Sequence, residues 1–91
     1  MVNLARSPEQ IGNTIRRARK KIGMSQAKLG EKTGLRQGTI SQIEGGSPET
    51  KLETILSVLA ALDLELNITQ RKSTFDILLG SIGREVEKNT P

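Results

Sequence analysis

Ser25–Gly46 reads S-Q-A-K-L-G-E-K-T-G-L-R-Q-G-T-I-S-Q-I-E-G-G, two short helical patterns hinged at Gly34. Leu29 marks the inward side of the first pattern, and Ile40 and Ile43 mark that of the second. Gly34 lacks a Cβ and so accepts the positive φ that a tight turn between two helices requires. Ser25 is placed to cap a helix over about residues 26–33, and a second helix runs from about Arg36 to Glu44 before Gly45 and Gly46 release the chain. This leaves Arg36, Gln37, Thr39 and Gln42 as a polar face pointing outward.

Upstream, Ser7-Pro8-Glu9-Gln10 has the makings of a helix start: Ser7 caps, Pro8 suits the first helical position, and Gln10 completes a capping box. Ile11, Ile15, Ala18 and Ile22 then form one apolar stripe that ends at Gly23, with Arg16, Arg17 and Lys20 off it. Downstream, Thr50 and Glu53 make a second capping box. It is followed by Leu52, Ile55, Leu56, Leu59 and Leu62, a fourth helix that closes the core.

After Asp63 the period changes to two. Leu64, Leu66 and Ile68 alternate with Glu65, Asn67 and Thr69, the pattern of a half-buried strand. A lone strand has unpaired edges, so pairing with the same strand of a second copy would satisfy them and give a two-fold dimer. The competing reading is an irregular extension packed on the fourth helix. Residues 70–91 form a tail in which Phe75, Leu78, Leu79 and Ile82 recur at helical spacing, weakened by Gly80 and Gly83 at roughly 1 kcal/mol each. The expected organisation is thus a domain over residues 1–64, a dimerisation strand over 65–69 and a tail over 70–91.

Ninety-one residues with 34% hydrophobic content and one aromatic side chain allow a single small domain with a modest aliphatic core. The absence of Cys and His removes disulfides, thiolate and imidazole metal ligands and the usual nucleophilic triads. No phosphate-cradling loop or metal-ligand spacing occurs, and the acids are scattered singly, so the chain reads as a binding protein without cofactor rather than an enzyme. The longest apolar-dominated run, Ile55–Leu62, is too short for a membrane span, and the expected location is the cytoplasm.

The net charge of +4 is unevenly spread: residues 1–40 carry +7 and residues 41–91 carry −3. A basic run from Arg16 to Lys21 can be the wet face of a helix. Beside a helix-turn-helix pattern it becomes the electrostatic footprint for double-stranded DNA. The second helix of such a unit enters the major groove, while the first crosses the backbone. Gln37 and Gln42 can then pair with adenine, Arg36 can reach guanine, Thr39 can meet thymine, and Gly38 lets the backbone approach closely. Ser25 and Gln26, at a helix N-terminus, suit a phosphate, and Arg17, Lys28 and Ser41 add further backbone contacts.

The S-Q at a helix start, Leu29, Gly34, the run Q-x-T-I-S-x-I-E from Gln37 to Glu44 and the basic preceding helix resemble the XRE family, the lambdoid-repressor type of helix-turn-helix, over about residues 8–65. The resemblance implies a mostly α fold of four to five helices, with a C-terminal strand pairing across a homodimer. It also implies that Arg36, Gln37, Gly38 and Thr39 face the bases, and that Gln26 supports Gln37 while touching the DNA backbone. Within the family, the short domain followed directly by L-E-L-N-I-T looks like the HipB-type antitoxins of toxin-antitoxin modules. That likeness implies homodimerisation through Leu64, Leu66 and Ile68, repression of the protein's own operon at a near-palindromic operator, and binding of a HipA-like kinase toxin. The tail departs from the pattern, carrying an apolar segment and ending K-N-T-P without tryptophan. A stand-alone repressor of the same fold and a protein-binding adaptor remain the alternatives.

Overall fold

The computed structural model describes residues 4–70, which fold as four helices: α1 (Pro8–Lys21), α2 (Gln26–Thr33), α3 (Gln37–Glu44) and α4 (Leu52–Ala61). Ser7 caps α1, its Oγ accepting from the Gln10 amide at 3.1 Å. The return half of the expected capping box is displaced by one residue, because Gln10 Oε1 accepts from the Arg6 amide rather than that of Ser7. Ser25 caps α2 by accepting from the Lys28 amide at 3.0 Å.

Gly34 ends α2 at φ 74°, and the Leu35 amide then returns to the Gly30 carbonyl at 2.9 Å, closing the hinge that the two-helix pattern requires. The start of α4 differs from expectation. Lys51 is the N-cap and lends no side-chain hydrogen bond, and its carbonyl receives the Thr54 and Ile55 amides. Thr50 thus lies one residue outside the helix, where its hydroxyl is out of register with the free amides. Glu53 falls on the second helical residue, where its charge still favours the positive end of the helix.

The core is aliphatic, built from Ile15, Leu29, Ile40, Ile43, Val58, Leu59 and Leu62, with Ile11, Ala18, Met24, Leu35, Ile55, Ala61 and Leu64 packed around it. It joins α3 to both α1 and α2, and α4 to α2. Each fully buried Ile, Leu or Val contributes roughly 1.5–3 kcal/mol, so a core without aromatics can still hold a domain of this size. Three expected core positions differ. Ile22 is 60% exposed because it is the C-cap of α1, where the backbone leaves the helix before the stripe completes another turn. On α4 the buried face is Ile55, Val58, Leu59 and Leu62, so Leu52 and Leu56 fall to its side and remain exposed.

Where α1 crosses the end of α3, the two backbones nearly touch. A Cβ on Gly12 would lie 2.5 Å from the Ile43 carbonyl oxygen and 2.7 Å from that of Glu44. Gly12 therefore sets how closely α3 is seated on the rest of the domain.

Among the described residues no strand forms: residues 64–70 carry no regular structure within the single chain, whose other elements are all helices and offer no edge to pair with. The Leu64 amide instead bonds the Leu59 carbonyl at 2.8 Å, fastening the exit from α4. The amphipathic pattern from Phe75 to Ile82 lies outside the described residues.

Candidate nucleic-acid interface

Burial of Ile40 and Ile43 turns the opposite side of α3 outward, and Gln37, Gly38, Ser41 and Gln42 are exposed along it. Thr39 is half-buried at the flank, and Arg36, the exposed N-cap, stands ahead of the first turn. The five expected base-facing positions therefore lie on α3 and its N-cap, all but Thr39 exposed.

At the N-terminus of α2, Ser25 and Lys28 are exposed and Gln26 is half-buried. Because Ser25 Oγ accepts from the Lys28 amide, its hydroxyl proton remains available to donate to a phosphate oxygen. Lys28 Nζ lies 3.2 Å from Glu31 Oε1, an exposed pair that a phosphate can displace at little cost. On α1, Arg16, Arg17, Lys20 and Lys21 are all exposed.

Arg19 is different, and the sequence reading missed it. This side chain is buried, and its guanidinium is fully directed: Nε donates to Glu44 Oε2 at 2.6 Å, Nη2 to Glu44 Oε1 at 2.9 Å, and Nη1 to the Met24 carbonyl at 2.6 Å. Gln26 Nε2 is the third donor to the Glu44 carboxylate, reaching Oε1 at 3.1 Å. One carboxylate thus ties together the last turn of α1, the first residue of α2 and the last residue of α3. The geometry is the bidentate fork that makes arginine–carboxylate pairs directional. A signal was present: Arg19 lies four residues after Ile15 and Glu44 four after Ile40, so both charges sit over core positions and each requires a partner.

The electrostatics follow. Burial works to raise the Glu44 pKa, but hydrogen bonds from Arg19 and Gln26, with the charges of Arg19 and Arg16, outweigh it and hold the carboxyl below its ordinary value. The same hydrogen bond to Glu44 raises Arg19 further, so the pair stays ionised. Among the described residues no hydrogen bond joins Gln26 to Gln37, and the Gln26 amide nitrogen is turned to Glu44.

The three expected dimerisation residues divide. Leu64 packs on its own core, whereas Leu66 and Ile68 are exposed, at 43% and 89%. Leu66 also lines a shallow apolar groove of about 200 Å³ with Pro8, Ile11, Leu52 and Ile55.

A basic α1, a capped α2, a Gly34 hinge and a solvent-facing α3 define a helix-turn-helix DNA-binding domain. The chain matches the helix-turn-helix family HTH_3 over residues 15–69 and belongs to that family, of the XRE type. It is 33% identical to Antitoxin HipB of Escherichia coli strain K12 over 67 residues, covering 74% of this chain and 76% of that protein. It is 41% identical over 69 residues to an uncharacterised HTH-type transcriptional regulator, y4dL, of Sinorhizobium fredii, covering 76% of this chain and 35% of that one.

Among solved structures, it is similar to HipB in a HipA–HipB–O2–O3 complex, with a TM-score of 0.73 and 31% identity, covering 78% of this chain and all of that one. It is also similar to the restriction-modification controller protein C.AhdI from Aeromonas hydrophila, with a TM-score of 0.59 and 31% identity, covering 64% of this chain and 88% of that one. Among the described residues, no helix is long and apolar enough to cross a membrane.

Proposed function

We propose that this protein is a dimeric antitoxin and autorepressor that binds a near-palindromic operator in the cytoplasm and also binds a HipA-like kinase toxin. The observation that carries the DNA half is the outward face of α3, presented by the buried Ile40 and Ile43 and locked to α1 and α2 through Glu44. In this reading Gln37 and Gln42 pair with adenine N6 and N7, Arg36 with guanine, and Thr39 with a thymine methyl, with Gly38 lying over the bases between them. Ser25, Gln26, Arg17, Lys28 and Ser41 hold phosphates and fix the register.

Two copies joined through residues 65–69 would place two recognition helices one turn of DNA apart, roughly 34 Å. The exposed Leu66 and Ile68 support that interface, since a lone chain leaves them in water. The toxin half rests on the likeness to Antitoxin HipB and to HipB in its complex with HipA.

A second reading, a repressor without a toxin, is favoured by the 41% identity to the S. fredii transcriptional regulator. Purification of the tagged full chain from its native cells, with bound DNA sequenced and bound protein identified, separates the readings. A HipA-like kinase together with a palindromic fragment of the chain's own promoter supports the antitoxin. The same DNA without a kinase leaves the lone repressor, and a partner with sequence-blind DNA binding makes the chain an adaptor.

A further inference from the structure

Seven glycines lie among the described residues, and six of them answer to something inside the protein. Gly23, Gly34 and Gly46 sit at positive φ, and a Cβ on Gly12, Gly30 or Gly45 would meet a backbone oxygen at 3.3 Å or less. Gly38 alone has neither constraint: its φ is not positive, and nothing lies within 4 Å of where its Cβ would stand.

Its place makes this odd. Gly38 is the second residue of α3, a helix of eight residues whose N-cap, Arg36, makes no side-chain hydrogen bond and whose first turn holds no acid. Glycine weakens a helix by its backbone freedom, and here no cap or dipole partner compensates. A residue that costs the fold and serves no contact within it has its reason outside, on the surface where a recognition helix meets base edges.

Resting on the reading of α3 as that helix, we propose that Gly38 is a blank in the reading head, leaving one base pair of each half-site unread while Arg36, Gln37 and Thr39 fix its neighbours. Shortage of room does not call for glycine. A helix with its side chains is about 10–12 Å across and the major groove about 12 Å wide, so a methyl group at this position does not by itself keep α3 out of the groove. What glycine removes is the side chain that would carry an amide, hydroxyl or methyl to the base edge at that register. The half-sites this protein accepts therefore share fixed flanks around one tolerant pair, and a single protein serves several operators that differ only there.

Selection from a duplex library randomised over both half-sites, using the full chain and its Gly38→Ala and Gly38→Gln variants, tests this. The wild-type protein is expected to enrich sites with one pair per half-site at which the four bases differ by less than about threefold, between pairs that discriminate by about tenfold or more. At that same pair Gly38→Ala gains a preference for thymine, whose methyl it can touch, and Gly38→Gln gains one for adenine. Gly38→Ala also melts at a higher temperature than the wild type.

The assignment is overturned if every pair of the wild-type site is fixed. It is equally overturned if Gly38→Ala melts higher yet binds the wild-type site about tenfold more weakly, which would make the glycine a clearance for close approach. Enrichment of no sequence by the wild-type protein overturns the operator reading on which the assignment rests, and is told apart from the other outcomes by the lack of any consensus.

Discussion

Glu44, the last residue of α3, receives both Nε and Nη2 of Arg19 from the last turn of α1, at 2.6 and 2.9 Å, with both side chains buried. The pair sits at the far end of the helix whose exposed face reads outward. Removing one partner leaves the other charged and desolvated, which costs about 3–5 kcal/mol, a large share of the stability of a small domain. Glu44→Ala and Arg19→Ala are each expected to lower the free energy of urea unfolding by that amount. The double variant is expected to lose less than the sum of the two.

The same pair makes stability depend on acid. Glu44 is held below its ordinary value of 4.5 in the folded protein, so the folded state resists protonation more than the unfolded chain does. Its contribution is complete above the unfolded value and is lost as pH falls through the lower folded one. Arg19 stays protonated throughout and adds no slope of its own. Urea midpoints of the wild type, taken from neutral pH downward, should therefore fall more steeply below pH 4.5 than those of Glu44→Gln.

Gly12→Ala tests the seating of α3. On an open helix face this change stabilises, because alanine is the better helix former. Here the new methyl meets the Ile43 and Glu44 carbonyls at 2.5 and 2.7 Å, so α1 must back away from α3. A loss of about 1–3 kcal/mol is expected in chemical denaturation, with a matching loss of operator affinity as α3 is displaced.

Much of the reading head was legible before any coordinates. Its limits fell at Ser25, Gly34 and Gly45 because caps and left-handed turns are local chemistry, and Leu29, Ile40 and Ile43 were placed by period alone. Period gives the angle of a side chain on its helix but not which angle the rest of the fold covers. For that reason Leu52 and Leu56 joined an expected core stripe and ended exposed, while Val58, outside the stripe, is fully buried. Arg19 was counted with the basic face because its partner is contributed by a helix 25 residues away. Gln26, which the resemblance sets in support of Gln37, gives its amide nitrogen to the same partner.

Asp63 ends α4 in a left-handed conformation, φ 57°, at a place where the other turns use glycine. It also puts a negative charge near the carbonyl end of the helix. Asp63→Gly removes both penalties and is expected to raise stability by about 1 kcal/mol, while Asp63→Asn, which removes only the charge, gains less. Thermal unfolding of the two variants beside the wild type checks the order.

With α3 assigned to base edges and Arg17 of α1 to a phosphate, the two roles separate in the affinity of wild type, Gln37→Ala and Arg17→Ala for a selected operator and a random duplex across a series of salt concentrations. Gln37→Ala is expected to lose about 1–3 kcal/mol on the operator and almost nothing on the random duplex. Arg17→Ala should weaken both alike and reduce the salt slope by about one. Equal losses on both duplexes for Gln37→Ala would contradict the assignment of α3 as the recognition helix.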